Sequence, residues 1–200
     1  LGWMDSGCTH IGVDRRVNRN APGSAAIDDE QTLYVSWDSE ALRLVWTGAN
    51  WDYAGDLFVY LDTAAGGAAK AFNPFGESGD FSIDFSTLDL SELAPDGLGD
   101  LFDAENLIWI EDSDTAHLLT WNADRWETET DLLPPDQFRF DEELHDGHTD
   151  LYLPFEVLGI DDPAGTPLAL VAFATEDASM GALDELRVWG TVPPGHPLNS

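Results

Sequence analysis

Lysine is almost missing from this chain. Lys70 is the only one, and with seven arginines it faces 39 aspartates and glutamates, for a formal net charge of −31. Arg15, Arg16 and Arg19 sit together, and only Asp5 and Asp14 among the acids precede residue 20. Residues 20–200 therefore carry 37 acids against five bases. Such a surface repels phosphate backbones, which excludes nucleic acid as a partner. Cysteine is equally scarce. Cys8 alone can form neither an intrachain disulfide nor a cysteine-based zinc or iron–sulfur site, and no base is obviously paired with it. No apolar run approaches the roughly 18 residues that a spanning helix needs, so no membrane insertion is expected. The chain opens Leu1-Gly2-Trp3 without an initiator Met or a signal-peptide pattern. The expectation is a processed product or an excised part of a longer protein, with neighbouring domains of that parent chain as partners. A G-x-S-x-G elbow, a phosphate loop and a dinucleotide fingerprint are all missing. With 39 acids some carboxylate pair is inevitable, so acid pairs carry no information about glycoside hydrolysis and no catalysis is expected.

What remains is rich in aromatics and strand-formers. The chain is 43% hydrophobic and 11% aromatic over 200 residues, enough for one domain with a substantial core. Residues 32–67, TLYVSWDSEALRLVWTGANWDYAGDLFVYLDTAAGG, hold three runs ended by turn residues. Leu33, Val35 and Trp37 share one face, as do Leu42, Leu44 and Trp46, then Leu57, Val59 and Leu61. Side chains alternate across a strand, so this period of two predicts half-buried antiparallel sheet. The same register predicts Trp37 and Trp46 in the core. Compatible strands are 32–37, 41–47, 56–61, 81–86, 107–111, 116–121, 125–129, 137–141, 150–154, 168–175 and 186–190. The run IWIEDSDTAHLLTWNADRWETE reads as a meander with turns at Asp112–Asp114 and Asn122–Asp124. Helix is scarce: one turn within 87–105, and one at Phe155–Leu158 capped by Gly159. The predicted fold is a single all-β domain over 1–200, an antiparallel β-sandwich of about ten strands with an immunoglobulin or jelly-roll character. Residues 1–31 are expected to be an irregular lead-in, and 192–200, with Pro193, Pro194 and Pro197, a linker-like tail.

Three constellations could carry chemistry. Strands end on Asp38, Asp62, Asp112 and Asp177. An aspartate bonds the backbone two residues on and starts a turn. Alternatively, Asp38 and Asp62, at the same rim of a simple meander, would contribute to a calcium site, which needs six to eight oxygens. Asp146, His148 and Asp150, with His145, form the densest cluster of potential metal ligands, or else a solvated hairpin loop. The third is aromatic. Trp51 and Tyr53 stand beside Asp52 and Asp56 in a loop, and Trp121 and Trp126 flank the Asn122–Asp124 turn. Sugar rings stack on aromatic faces and take hydrogen bonds from acids and amides, so these six residues suit a carbohydrate platform. The competing reading is a set of aromatic plugs closing the sandwich edge. The acidity itself suits solubility or adaptation to salt, or the holding of divalent cations.

The pattern LYVSWDSEALRLVW, followed by GDLFVYLDT and the Gly66-Gly67 turn, resembles the β-sandwich binding modules appended to secreted bacterial glycoside hydrolases. The C-terminal module of glucodextranase, the family 9 carbohydrate-binding modules and the DOMON-like sandwiches share this style. The resemblance implies an extracellular or cell-surface, noncatalytic module of a bacterial protein that binds carbohydrate, with calcium as a candidate structural ion and no other cofactor. Haem-holding DOMON domains use Met and His ligands, whereas Met4 and Met180, the only methionines, lie on no clear strand. The alternatives are a structural or adhesive spacer without a small ligand and, less favoured by the missing motifs, a hydrolase acting on sugars.

Overall fold

The computed structural model describes residues 9–14, 31–47, 56–72, 89–93, 102–112, 114–130, 133–141, 148–175 and 188–190. Their elements are β1 (Thr9–Asp14), β2 (Gln31–Trp37), β3 (Ala41–Thr47), β4 (Leu57–Asp62), α1 (Leu90–Leu93), β5 (Asn106–Asp112), β6 (Thr115–Asn122), β7 (Arg125–Thr130), β8 (Phe138–Asp141), β9 (His148–Pro154), β10 (Ala169–Thr175) and β11 (Val188–Gly190). They form two sheets, β1-β2-β3-β9-β8 and β11-β10-β4-β5-β6-β7, in which every pairing is antiparallel. The predicted antiparallel sandwich is what the chain forms.

The inward faces meet in one apolar cluster. Leu33, Val35, Leu42, Leu44 and Trp46 come from the first sheet, and Leu57, Val59, Leu61, Ile108 and Leu118 from the second. Each is nearly or wholly buried, and burying a side chain of this size is worth about 1.5–3 kcal/mol. The alternation seen in the sequence is thus the inner face of each sheet.

Three features differ from expectation. Trp46 is core, but Trp37, the last residue of β2, is 53% exposed. It shares the parity of Leu33 and Val35, yet it pairs with Leu42 beside the Asp38–Glu40 turn, where the sheet ends. Part of the expected irregular lead-in is strand: Thr9–Asp14 pairs along β2, with a register shift between His10 and Gly12 that breaks the alternation a sequence pattern would show. The chain is also no simple meander from β2 to β4. β3 pairs with β2 and β9, whereas β4 pairs with β5 and β10 in the other sheet. Asp38 and Asp62 therefore end strands of different sheets. The expected strand at 81–86 and the tail 192–200 lie outside the described residues.

Local expectations elsewhere are met. β5, β6 and β7 are adjacent, joined by a tight turn at Ala123-Asp124. After Pro154 the chain makes one helical turn. The Ile160 amide donates to the Phe155 carbonyl at 2.8 Å and the Gly159 amide to the Glu156 carbonyl at 3.2 Å, with Gly159 at φ +70°. That bond pair is the Schellman cap, and Gly159 takes the left-handed position that other residues avoid. Phe155 and Ile160 both enter the core from it.

Candidate functional site

A second apolar cluster lies on the outward face of the six-stranded sheet. Phe58 and Tyr60 of β4, Leu107 of β5, Leu119 of β6 and Val171 and Phe173 of β10 point away from the sandwich core. Ala71, Leu90, Phe102 and Ala104 cover them. The cover is tied down by backbone. Ala68 and Ala104 exchange amide bonds at 2.7 and 2.9 Å, and the Leu90 amide donates to the Ala69 carbonyl at 2.9 Å. Gly67 makes this approach possible, because a Cβ there would collide with the backbone carbonyls of Asp103 and Ala104. Tyr60 is fully buried beneath, its hydroxyl accepting the Phe72 amide at 3.0 Å, and burial holds its phenol well above the ordinary range.

Aromatic rings continue across this face. Phe58 and Phe173 stack at 5.2 Å. Trp109 lies between Phe72 at 5.6 Å and His117 at 4.9 Å, and its indole N–H donates to Asp56 at 2.8 Å. His117 Nε2 stands 3.6 Å from the Glu111 carboxylate. Farther along, Trp121 and Trp126 are direct partners across β6 and β7, half-buried, with centroids 5.5 Å apart at 66°. Trp126 also leans edge-on to Tyr60 at 5.9 Å. β7 is the last strand of this sheet, so the tryptophan pair sits at its margin. Asn122 and Arg125 both bond Glu127 there, at 2.9 and 2.8 Å, which holds the hairpin end polar.

Carboxylates border the pair. Asp62 ends β4, and its acidity is weakened first by burial, then by the negative charges of Glu105 and Asp103. One Glu105 oxygen accepts the Thr63 and Ala64 amides at 2.7 and 3.0 Å.

The sequence-derived candidates fare unevenly. Trp121 and Trp126 are brought together. Trp51, Asp52 and Tyr53 lie outside the described residues, and Asp56 accepts the indole N–H of Trp109. Asp38 is a turn former: its Oδ1 accepts the Glu40 and Ala41 amides at 2.8 and 3.0 Å and its Oδ2 meets Arg43 at 3.2 Å. The two amides, with a smaller contribution from Arg43, hold its carboxyl below the usual value. His148 and Asp150 share the outward face of β9, opposite Asp141 and Arg139 of β8, in the expected hairpin, while Asp146 and His145 lie outside the described residues. Among the described residues no group of three or more His, Cys, Asp or Glu is arranged to hold a metal ion. Sequence reasoning missed Glu105, Trp109 and His117. For Glu105 and Trp109 a signal was present in the alternation of Glu105, Leu107 and Trp109 leading into and along β5, but it points to a face whose importance depends on the cover.

Among the described residues no helix is long and apolar enough to cross a membrane. Comparison of the chain with family models, with curated proteins and with solved structures returns no match.

Proposed function

We propose that this chain is a noncatalytic carbohydrate-binding module of a secreted or cell-surface bacterial protein, with Trp121 and Trp126 as its platform. The observation that carries this reading is the half-buried tryptophan pair on the outward face, at the margin of the six-stranded sheet. Two indoles tilted against one another offer a face and an edge, and sugar rings dock on such surfaces through C–H contacts while their hydroxyls reach polar neighbours. Catalysis is not assigned, because the nearby acids serve structural bonds: Asp56 to Trp109, Glu105 to Thr63 and Ala64, Glu127 to Asn122 and Arg125. The resemblance to modules of secreted glycoside hydrolases points the same way.

A second reading is favoured by one contact. Trp126 packs edge-on to the fully buried Tyr60, as a plug in a ligand-free spacer would. Affinity electrophoresis through polysaccharide gels separates the two. The platform predicts retardation by at least one polysaccharide that Trp121→Ala abolishes, with the fold intact by circular dichroism. Migration unaffected by every polysaccharide favours the spacer.

A further inference from the structure

The six-stranded sheet stops at β7, and among the described residues no strand pairs with its far side. A row of residues shows which backbone groups that side presents. Asp62 ends β4, Glu105 immediately precedes β5, Trp121 lies on β6 and Trp126 on β7. The Glu105 amide donates to the Leu61 carbonyl at 3.0 Å, and the Trp121 amide to the Glu105 carbonyl at 2.8 Å. In an antiparallel sheet a residue's N–H and C=O point to the same side, and that side alternates along the strand. Trp121 therefore turns its backbone toward β5, and its direct partner Trp126 makes no ladder bond to β6. Trp126 turns its N–H and C=O outward, away from the sheet. Thr128, opposite Leu119 in the same phase, does likewise. The Leu133 amide donates to the Ala116 carbonyl of β6 at 2.7 Å, so the chain leaving β7 continues in line with it.

Six residues of extended chain with backbone donors and acceptors aimed outward form a template for one more strand. Charge decides which strand. Between residues 124 and 131 stand Asp124, Glu127, Glu129 and Asp131 against Arg125 alone, and Arg125 is held by Glu127 at 2.8 Å. A second copy of this chain is a poor partner. Two β7 edges would set Glu127 and Glu129 of each copy along one seam, and like charges across strands are destabilising. A strand bearing lysine or arginine gains from the same charges, so the edge selects by repulsion as well as attraction. Successive residues take opposite faces, which puts Trp126 on the face away from Glu127. The half-buried Trp126 is matched by an apolar cross-strand neighbour.

We propose that β7 is a docking edge for a basic, extended peptide segment of another protein, which joins the six-stranded sheet as a further strand with lysine or arginine alternating with apolar residues. This goes beyond the sugar platform and stands apart from it, since it uses the β7 backbone and is read with a peptide. The probe is an octapeptide of alternating lysine and valine, titrated calorimetrically in about 0.15 M salt. It should bind one-to-one and saturate, and the glutamate–valine octapeptide should not bind. Methylating the amide nitrogens of two adjacent central residues removes a donor on each edge of the probe and leaves its charge unchanged. The Kd should then rise about tenfold. On the protein, Thr128→Pro removes an outward N–H at a strand edge, where proline is tolerated, and should raise the Kd about fivefold with the fold intact by circular dichroism. Equal affinity of the methylated and plain probes would mean that charge alone attracts the peptide and overturns the inference, as does the lack of saturable binding by the plain probe. Should Thr128→Pro unfold, the methylated probe on the parent protein still decides. Neither failure touches the platform, which polysaccharide retardation tests separately.

Discussion

The outward faces of the two sheets begin from similar strands and end in different environments. On the five-stranded sheet, β9 alternates: Thr149, Leu151 and Leu153 are buried, and His148, Asp150 and Tyr152 are half-buried. Ser36, Ala41 and Val45 are buried on that outward face too, but they are small, while the long side chains Tyr34, Arg43 and Tyr152 reach solvent, with Arg43 4.9 Å above the Tyr152 ring. On the six-stranded sheet, outward Phe58 and Tyr60 are as buried as inward Leu57, Val59 and Leu61. The cause is the cover made by residues 68–72, α1 and 102–104. Periodicity of two therefore reports how many faces of a strand are covered, and a continuous apolar run such as LFVYL reports two.

The sharpest way to break this comparison is to remove one large ring from each face. Phe102→Ala should cost about 3–5 kcal/mol, since Phe102 is fully buried in the cover, while Tyr152→Ala should cost under about 1 kcal/mol, the scale of an exposed cation–π contact. Urea unfolding of both variants decides it, and equal losses would mean the cover is no second core. Next in size is Gly67→Ala, which should cost about 1–3 kcal/mol by forcing residue 67 off the 103–104 backbone, and should shift near-UV signals of the buried aromatics. Tyr60→Phe isolates the polar tie between sheet and cover. Leaving the Phe72 amide without its acceptor should cost about 1–2 kcal/mol, read in the same titration.

The smallest effect is electrostatic. Asp62 has a folded-state pKa raised above its ordinary value of 3.8, so the ionised form penalises folding at neutral pH, and protonation relieves that penalty as pH falls. Asp62→Asn should therefore melt slightly higher than the parent at pH 7, with the gap closing as the pH falls toward 3.8. Asp38 works in the opposite sense. Its lowered pKa contributes stability above 3.8 that is lost on acidification, so Asp38→Asn should melt lower at pH 7 and converge with the parent in acid.

The inner core was readable residue by residue. Leu33, Val35, Leu42, Leu44 and Trp46 alternate with polar residues, and their partners in the sandwich needed only to be equally apolar. The Schellman turn at Gly159 and the hairpin turn at Asn122–Asp124 were readable because local backbone chemistry fixes them. Trp37 misled because parity says which face a residue takes and not where the sheet stops. The simple meander from β2 to β4 failed because local pattern does not say which strand crosses to the other layer. The site was half legible: Trp121 and Trp126 flank a turn, so their meeting follows from the hairpin, whereas Glu105 joins them only through the β5–β6 register.

The sequence by itself determined that the chain is made of strands, which residues line their inner faces, where two of the turns fall and that the surface is acidic. Those are consequences of side-chain alternation, local backbone preference and charge count, each read over a few neighbouring positions. Tertiary structure decided that β4 is buried on both faces, that Asp38 and Asp62 end strands of different sheets, and that Asp62, Glu105, Trp121 and Trp126 form one row. These depend on strand order and on segments distant in the chain, and no short window of sequence encodes which strand becomes whose neighbour.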